Sequence, residues 1–139
     1  MNKNKGFSLV ELIVVVAIMA VLVGILAPAY LSYVEKTRRG TDENTAEEVR
    51  HSIEVATAEL KVYDQVANAG TVSCDFSDGE TIANQATGAL AIELADVYSD
   101  KKFELKSKKY KSDTWTVTIT LNTNNNGAAC TVTGAWGSN

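Results

Sequence analysis

The sequence is poor in the residues that carry catalysis. It has one histidine, His51, and two cysteines, Cys74 and Cys130, too far apart to form a paired metal-binding motif. It has no glycine-rich phosphate loop. No serine–histidine–aspartate set assembles around His51, which lies on the polar side of a helical pattern. These absences argue against an enzyme and leave no cofactor or metal site to assign. Proline occurs once, at Pro28, and net positive charge is lacking: 13 Lys and Arg stand against 17 Asp and Glu, a net of −4. Beyond Gly40 the imbalance is fifteen acidic to eight basic residues, which argues against general nucleic-acid binding and favours solubility outside the cell. One run is both uncharged and almost wholly apolar: Leu12–Leu31, twenty residues without Asp, Glu, Lys or Arg.

At about 1.5 Å per residue, such a helix crosses a hydrocarbon core of about 30 Å. A secretory signal is the alternative, but its apolar stretch is about 7–15 residues and ends at a small-residue cleavage site. Ala27-Pro28-Ala29 is a poor site because of its proline. Charges do not decide orientation: Lys3 and Lys5 precede the segment, while Lys36, Arg38 and Arg39 follow it with Glu35. Gly24 and Pro28 lie four residues apart, and bending or local unwinding is expected there. A single carboxylate, Glu11, directly precedes the uncharged run. A charge within a membrane helix costs roughly 2.5–3.5 kcal/mol at the centre and less near the end, so a partner for Glu11 is expected.

Lys5-Gly6-Phe7-Ser8-Leu9-Val10-Glu11-Leu12, followed by the apolar run, resembles the class III leader of type IV pilins and pseudopilins. The match covers roughly residues 1–40, and the rest of the chain carries no family motif. The resemblance implies that a prepilin peptidase cuts between Gly6 and Phe7 on the cytoplasmic side and methylates the new Phe7 amine. It implies that the precursor is a single-pass protein of the inner membrane. Subunits then assemble, through a platform and its ATPase, into a helical filament cored by the apolar helices. Pro28 falls where the family carries a helix-disturbing proline. The Phe7 amine, with a reference pKa of about 7.7–8, is mostly cationic at neutral pH. Glu11 is then its opposite charge, on a neighbouring subunit or within the chain.

The remainder predicts an α+β fold: a long amino-terminal helix, half membrane and half amphipathic, packed on an antiparallel sheet of about three strands. The expected organisation is a leader at 1–6, a membrane or filament-core helix at 7–34, an amphipathic half at 35–67 and a head at 68–139. Ala46, Val49, Ile53, Ala56, Leu60 and Tyr63 form one apolar face at helical spacing, with a bend or break expected at Gly40 and a stop at Asn68-Ala69-Gly70. Residues 71–84 read as a loop; Asp75, Asp78 and Glu80 within it lack EF-hand spacing and read as solvated acids. A short helix over 89–98 would bury Leu90, Leu94 and Val97, with Thr87 as its cap. Strands are expected at 102–106, at 114–121 with the clearest two-residue alternation, and around Cys130, Val132 and Trp136. Connections at Lys111-Ser112-Asp113 and Asn122–Gly127 favour a meander.

An oxidising exterior favours a Cys74–Cys130 disulfide; two buried free thiols are the plain alternative. Lys101, Lys102, Lys106, Lys108, Lys109 and Lys111 read first as guards of an exposed edge strand, and second as a contact for DNA, acidic polymers or an acidic neighbouring subunit, the slight aromatic interleaving (Phe103, Tyr110) weakening the nucleic-acid reading. Three functions remain: a type IV pilus subunit serving adhesion, motility or DNA uptake; a pseudopilin of a secretion or competence system; and a membrane-anchored adhesin that never polymerises. Glu11 favours the first two, because a solitary anchor has little use for that carboxylate.

Overall fold

The computed structural model describes residues 6–122 and 129–137. Helix α1 (Leu9–Ala56) is followed by α2 (Leu60–Ala69), strand β1 (Thr71–Phe76), a 3-10 turn (Ile82–Gln85), helix α3 (Gly88–Tyr98) and strands β2 (Thr114–Asn122) and β3 (Ala129–Gly137). The chain divides into two compact units, Met1–Lys36 and Thr37–Asn139.

In the second unit the sheet is antiparallel, in the order β1-β2-β3. Val72, Cys74 and Phe76 alternate with exposed neighbours, and the buried Trp115, Val117 and Ile119 alternate with threonines that are less buried, so one face of the sheet is apolar. The α1 stripe packs there: Asp42, Ala46, Val49, Ile53 and Ala56 are buried at spacings of three and four. Each fully buried aliphatic side chain contributes about 1.5–3 kcal/mol of transfer free energy. The α+β expectation therefore holds, with a long helix and three strands.

Several local expectations do not hold. Gly40 lies inside α1, and the helix breaks instead at Thr57–Glu59. There Ala58 N–H and Glu59 N–H donate to carbonyls three residues back, Val55 and Ala56, tightening the turn. The break rotates the next helix, so Val62 and Val66 enter the core while Leu60 is left exposed and Tyr63 half-buried. Gly70, at φ 75°, ends α2.

The expected loop at 71–84 begins with β1, whose alternation was masked by Ser73 and Asp75. The strand expected at 102–106 is not in the sheet. Its extended backbone bonds residues 79–82 instead: Phe103 N–H donates to Glu80, while Gly79 and Ile82 N–H donate to Phe103 and Lys101. The lysines therefore do not guard an edge strand. In α3, Tyr98 is buried and Val97 exposed, because burial follows every fourth residue from Leu90 through Leu94. Thr87 makes no side-chain cap; Gln65 on α2 takes that role, its Oε1 accepting from Ala89 N–H at 2.8 Å. The expected 122–127 connection lies almost wholly outside the described residues.

The cysteines are free rather than bridged. Cys74 stands opposite Val117 on β2 and Cys130 opposite Leu121, so β2 separates them and they are offset by four residues along it. Two strand spacings and that offset put their Cα atoms on the order of 15 Å apart, well beyond the roughly 7 Å a disulfide tolerates.

Candidate processing and assembly segment

Residues 6–8 lead into α1 without regular structure. Leu12 N–H donates to Ser8 carbonyl at 3.2 Å, making Ser8 the first acceptor of the helix. Ser8 thus stands at the cap position, and Glu11 falls three residues on, in the first turn. This is the spacing of a capping box, and a carboxylate there also favours the positive end of the helix dipole. Gly6 and Phe7 precede that turn and are exposed, Phe7 at 87%. The peptide bond between them lies outside any helix, and glycine places no side chain beside it.

From Phe7 to Tyr33 the large apolar side chains are all exposed. This helix is long and apolar enough to cross a membrane, with a mean hydropathy of 3.1 in its best window. Helical structure continues through Gly24 and Pro28. Pro28 has no N–H, so the carbonyl of Gly24, four residues earlier, loses its helical donor. The two residues singled out in the sequence are thus the two ends of one missing bond.

In the second unit, sequence reasoning missed Asp42. It is fully buried, and its two carboxylate oxygens accept from Lys106 N–H at 2.8 Å and Ser107 N–H at 2.7 Å. Ser107 Oγ in turn accepts from Tyr110 N–H. Tyr110 donates its hydroxyl to Glu43 at 2.8 Å and stacks on Trp136, ring centroids 4.2 Å apart. That bond to Glu43, aided by burial, raises the Tyr110 pKa and keeps the phenol protonated. The signal was present: Asp42 continues the stripe of Ala46, Val49 and Ile53, and a carboxylate in line with core residues needs donors.

The loop acids are dispersed. Asp75 accepts from the Thr116 hydroxyl, and Asp78 accepts from Leu105 N–H. Among the described residues no cluster of three metal-ligating side chains occurs. His51 is exposed beside Glu54 at 3.7 Å. Burial raises the thiol pKa of both Cys74 and Cys130, which suits inert thiols.

Residues 1–27 match the family model described as the prokaryotic N-terminal methylation motif. The chain is 33% identical over 67 residues to prepilin peptidase-dependent protein A of Clostridium perfringens, covering 48% of each chain. It is 47% identical over 38 residues to fimbrial protein Q of Moraxella bovis, covering 27% of this chain and 24% of that protein. It is 33% identical over 59 residues to the type IV narrow pilus major component PilA5 of Thermus thermophilus, covering 42% of this chain and 51% of that one. The chain therefore spans about half the length of these relatives, or less. No solved structure matches it. The amino-terminal segment of this chain thus carries the prokaryotic N-terminal methylation motif and is similar to that of type IV pilins.

Proposed function

We propose that this chain is a structural subunit of a type IV pilus. A prepilin peptidase removes residues 1–6 and methylates Phe7, residues 7–34 form the filament core, and the remainder forms the outer part of the subunit. The precursor is anchored in the cytoplasmic membrane, and the product is an extracellular filament of many copies assembled by a platform and its ATPase. The chain has no catalytic task in this reading; the chemistry is done to it.

The observation that carries the reading is one conjunction. A methylation-motif segment continues into a helix whose large apolar side chains are exposed from Phe7 to Tyr33. Such a surface needs lipid before assembly and copies of itself afterwards. Glu11 is the one acid within its apolar amino-terminal stretch. Cutting after Gly6 keeps the anchor and creates an α-amine at Phe7. A Phe7 amine from one subunit meeting Glu11 of another removes both charges from the apolar core. An incoming subunit that leaves this pair unmade carries a buried lone charge, a penalty of about 3–5 kcal/mol. The pair thereby checks register. The Gly24–Pro28 turn, already one hydrogen bond short, is the place where the helix yields as it packs.

Imaging with an antibody to the residues after Gly40, in cells with the gene intact or deleted, tests this reading. Long surface filaments that carry the antibody and vanish on deletion are expected. Filaments that persist without it would show that this chain does not build them.

A further inference from the structure

Six of the eight Lys and Arg residues beyond Gly40 fall between Lys101 and Lys111. In the extended part of this segment, Lys102 and Lys106 alternate with the buried Phe103 and Leu105, so both leave the same outer side. Asp42 fastens the segment to α1, and Lys101 pairs with Glu48 at 3.4 Å. A cleft of about 320 Å³ opens between them, lined by Thr45, Glu48, Lys101, Lys102, Glu104 and Lys106. Among the described residues, Lys102 and Lys106 have no carboxylate partner.

A second surface has the opposite chemistry. The outer side of α3 exposes Ile92 at 70% and Val97 at 64%, although its inner side is fully committed to the core. Glu93 and Asp96 sit between them and, among the described residues, pair with no cation. The two surfaces succeed one another along the helical spine and adjoin at Glu48, whose carboxylate pairs with Lys101 and whose carbonyl accepts from the Tyr98 hydroxyl. The lysine segment is anchored at Asp42 and Glu48. The α3 helix runs from Gln65 on α2, which caps its start, to Ser52 on α1, which bonds the Tyr98 hydroxyl at 2.8 Å.

We propose that these surfaces meet between copies: Lys102 and Lys106 of one subunit dock on the Ile92–Val97 face of a second copy. This rests on the filament reading. In a filament, neighbours share one polarity and are displaced along the axis, so the basic level of one copy comes beside the acidic level of another. Lysine stems cover aliphatic side chains while their ammonium groups reach carboxylates, which matches an apolar helix face edged by Glu93 and Asp96. Two different patches make a heterologous contact, which repeats without closing, as a filament requires. Exposed charge pairs are screened by salt, so the contact weakens as ionic strength rises.

Zero-length carbodiimide cross-linking of wild-type filaments, grown from a mixture of isotopically light and heavy subunits, tests this directly. Mixed-isotope peptides joining Lys102 or Lys106 to Glu93 or Asp96 are expected. Inter-subunit links that avoid those four residues would overturn the proposal while leaving the filament reading intact; absence of filaments from wild-type cells would overturn both. In cells, Lys102→Glu with Lys106→Glu should lower sheared filament yield at least tenfold, as should Glu93→Lys with Asp96→Lys. Combining the four changes should restore at least half the yield. Equal membrane levels and melting temperatures of the detergent-solubilised subunits show that folding is intact. Unchanged yield for either reversal, or no rescue on combination, would contradict the docking.

Discussion

Asp42 and Ser107 are sixty-five positions apart, yet the Oδ2 of one accepts the backbone N–H of the other at 2.7 Å. The second oxygen of the same carboxylate holds Lys106 N–H. One side chain on the buried stripe of α1 thereby fixes the turn that carries Tyr110 against Trp136. Replacing Asp42 by Ala leaves two N–H groups without their acceptor. At roughly 1–3 kcal/mol per buried unsatisfied group, the loss should be about 3 kcal/mol, and Asp42→Asn, which keeps one acceptor, should cost less. Thermal melting of the detergent-solubilised subunit measures both, and equal melting temperatures for wild type and Ala would contradict the clamp.

Gly134 answers to packing rather than to backbone freedom. A Cβ there would lie 2.6 Å from the Trp115 ring. That ring is wedged against Phe76, Phe103 and Trp136, with centroids 5.6–6.2 Å apart, so it has nowhere to go. Gly134→Ala should destabilise by about 1–3 kcal/mol through overpacking and alter the near-ultraviolet signal of the tryptophans. A variant with wild-type stability and an unchanged spectrum would show that the ring is free to move.

How much was legible depended on whether the signal was periodic or relational. The stripe Ala46, Val49, Ile53 and Ala56 was readable because a helix repeats. Leu60 and Tyr63 were misassigned because a three-residue break reset the phase, and nothing periodic announces a break. Trp115, Val117 and Ile119 stood out among threonines, whereas Val72, Cys74 and Phe76 carried the same period behind turn-forming Ser73 and Asp75. Phe103 and Leu105 did alternate, but which segment they would pair with was not written locally. The Gln65 cap of α3 and the Asp42 clamp join residues distant in sequence, and so emerged only with the fold. The amino-terminal segment was legible because its chemistry is contiguous.

Both thiols should be reactive once the chain is unfolded. Denatured without reductant, the protein should take up two alkylating groups, and uptake of none would mean that a disulfide had formed. Cys74 also gives a pH dependence. Burial raises its pKa from the ordinary 9.0, so the native state holds this proton more tightly than the unfolded one. Its contribution is complete below pH 9 and is lost as pH rises above it. Stability should therefore fall on the alkaline side, and Cys74→Val should flatten that fall. An identical slope in the variant would remove Cys74 as the cause.

Glu11 is predicted to matter in assembly and not in cleavage. Glu11→Ala subunits should be trimmed at the normal position and remain in the membrane, while filament yield falls at least tenfold; Glu11→Gln should behave similarly because it too lacks the charge. Normal filaments at the wild-type rate would leave Glu11 only its favourable place in the first turn of α1.

The central claim is that trimming creates a cationic terminus at Phe7, and intact mass and amino-terminal fragment spectra of protein from purified filaments address it most directly. A chain that starts at Phe7 and carries one extra methyl group on its α-nitrogen is expected. A chain that starts anywhere else, or retains Met1–Gly6, would contradict it.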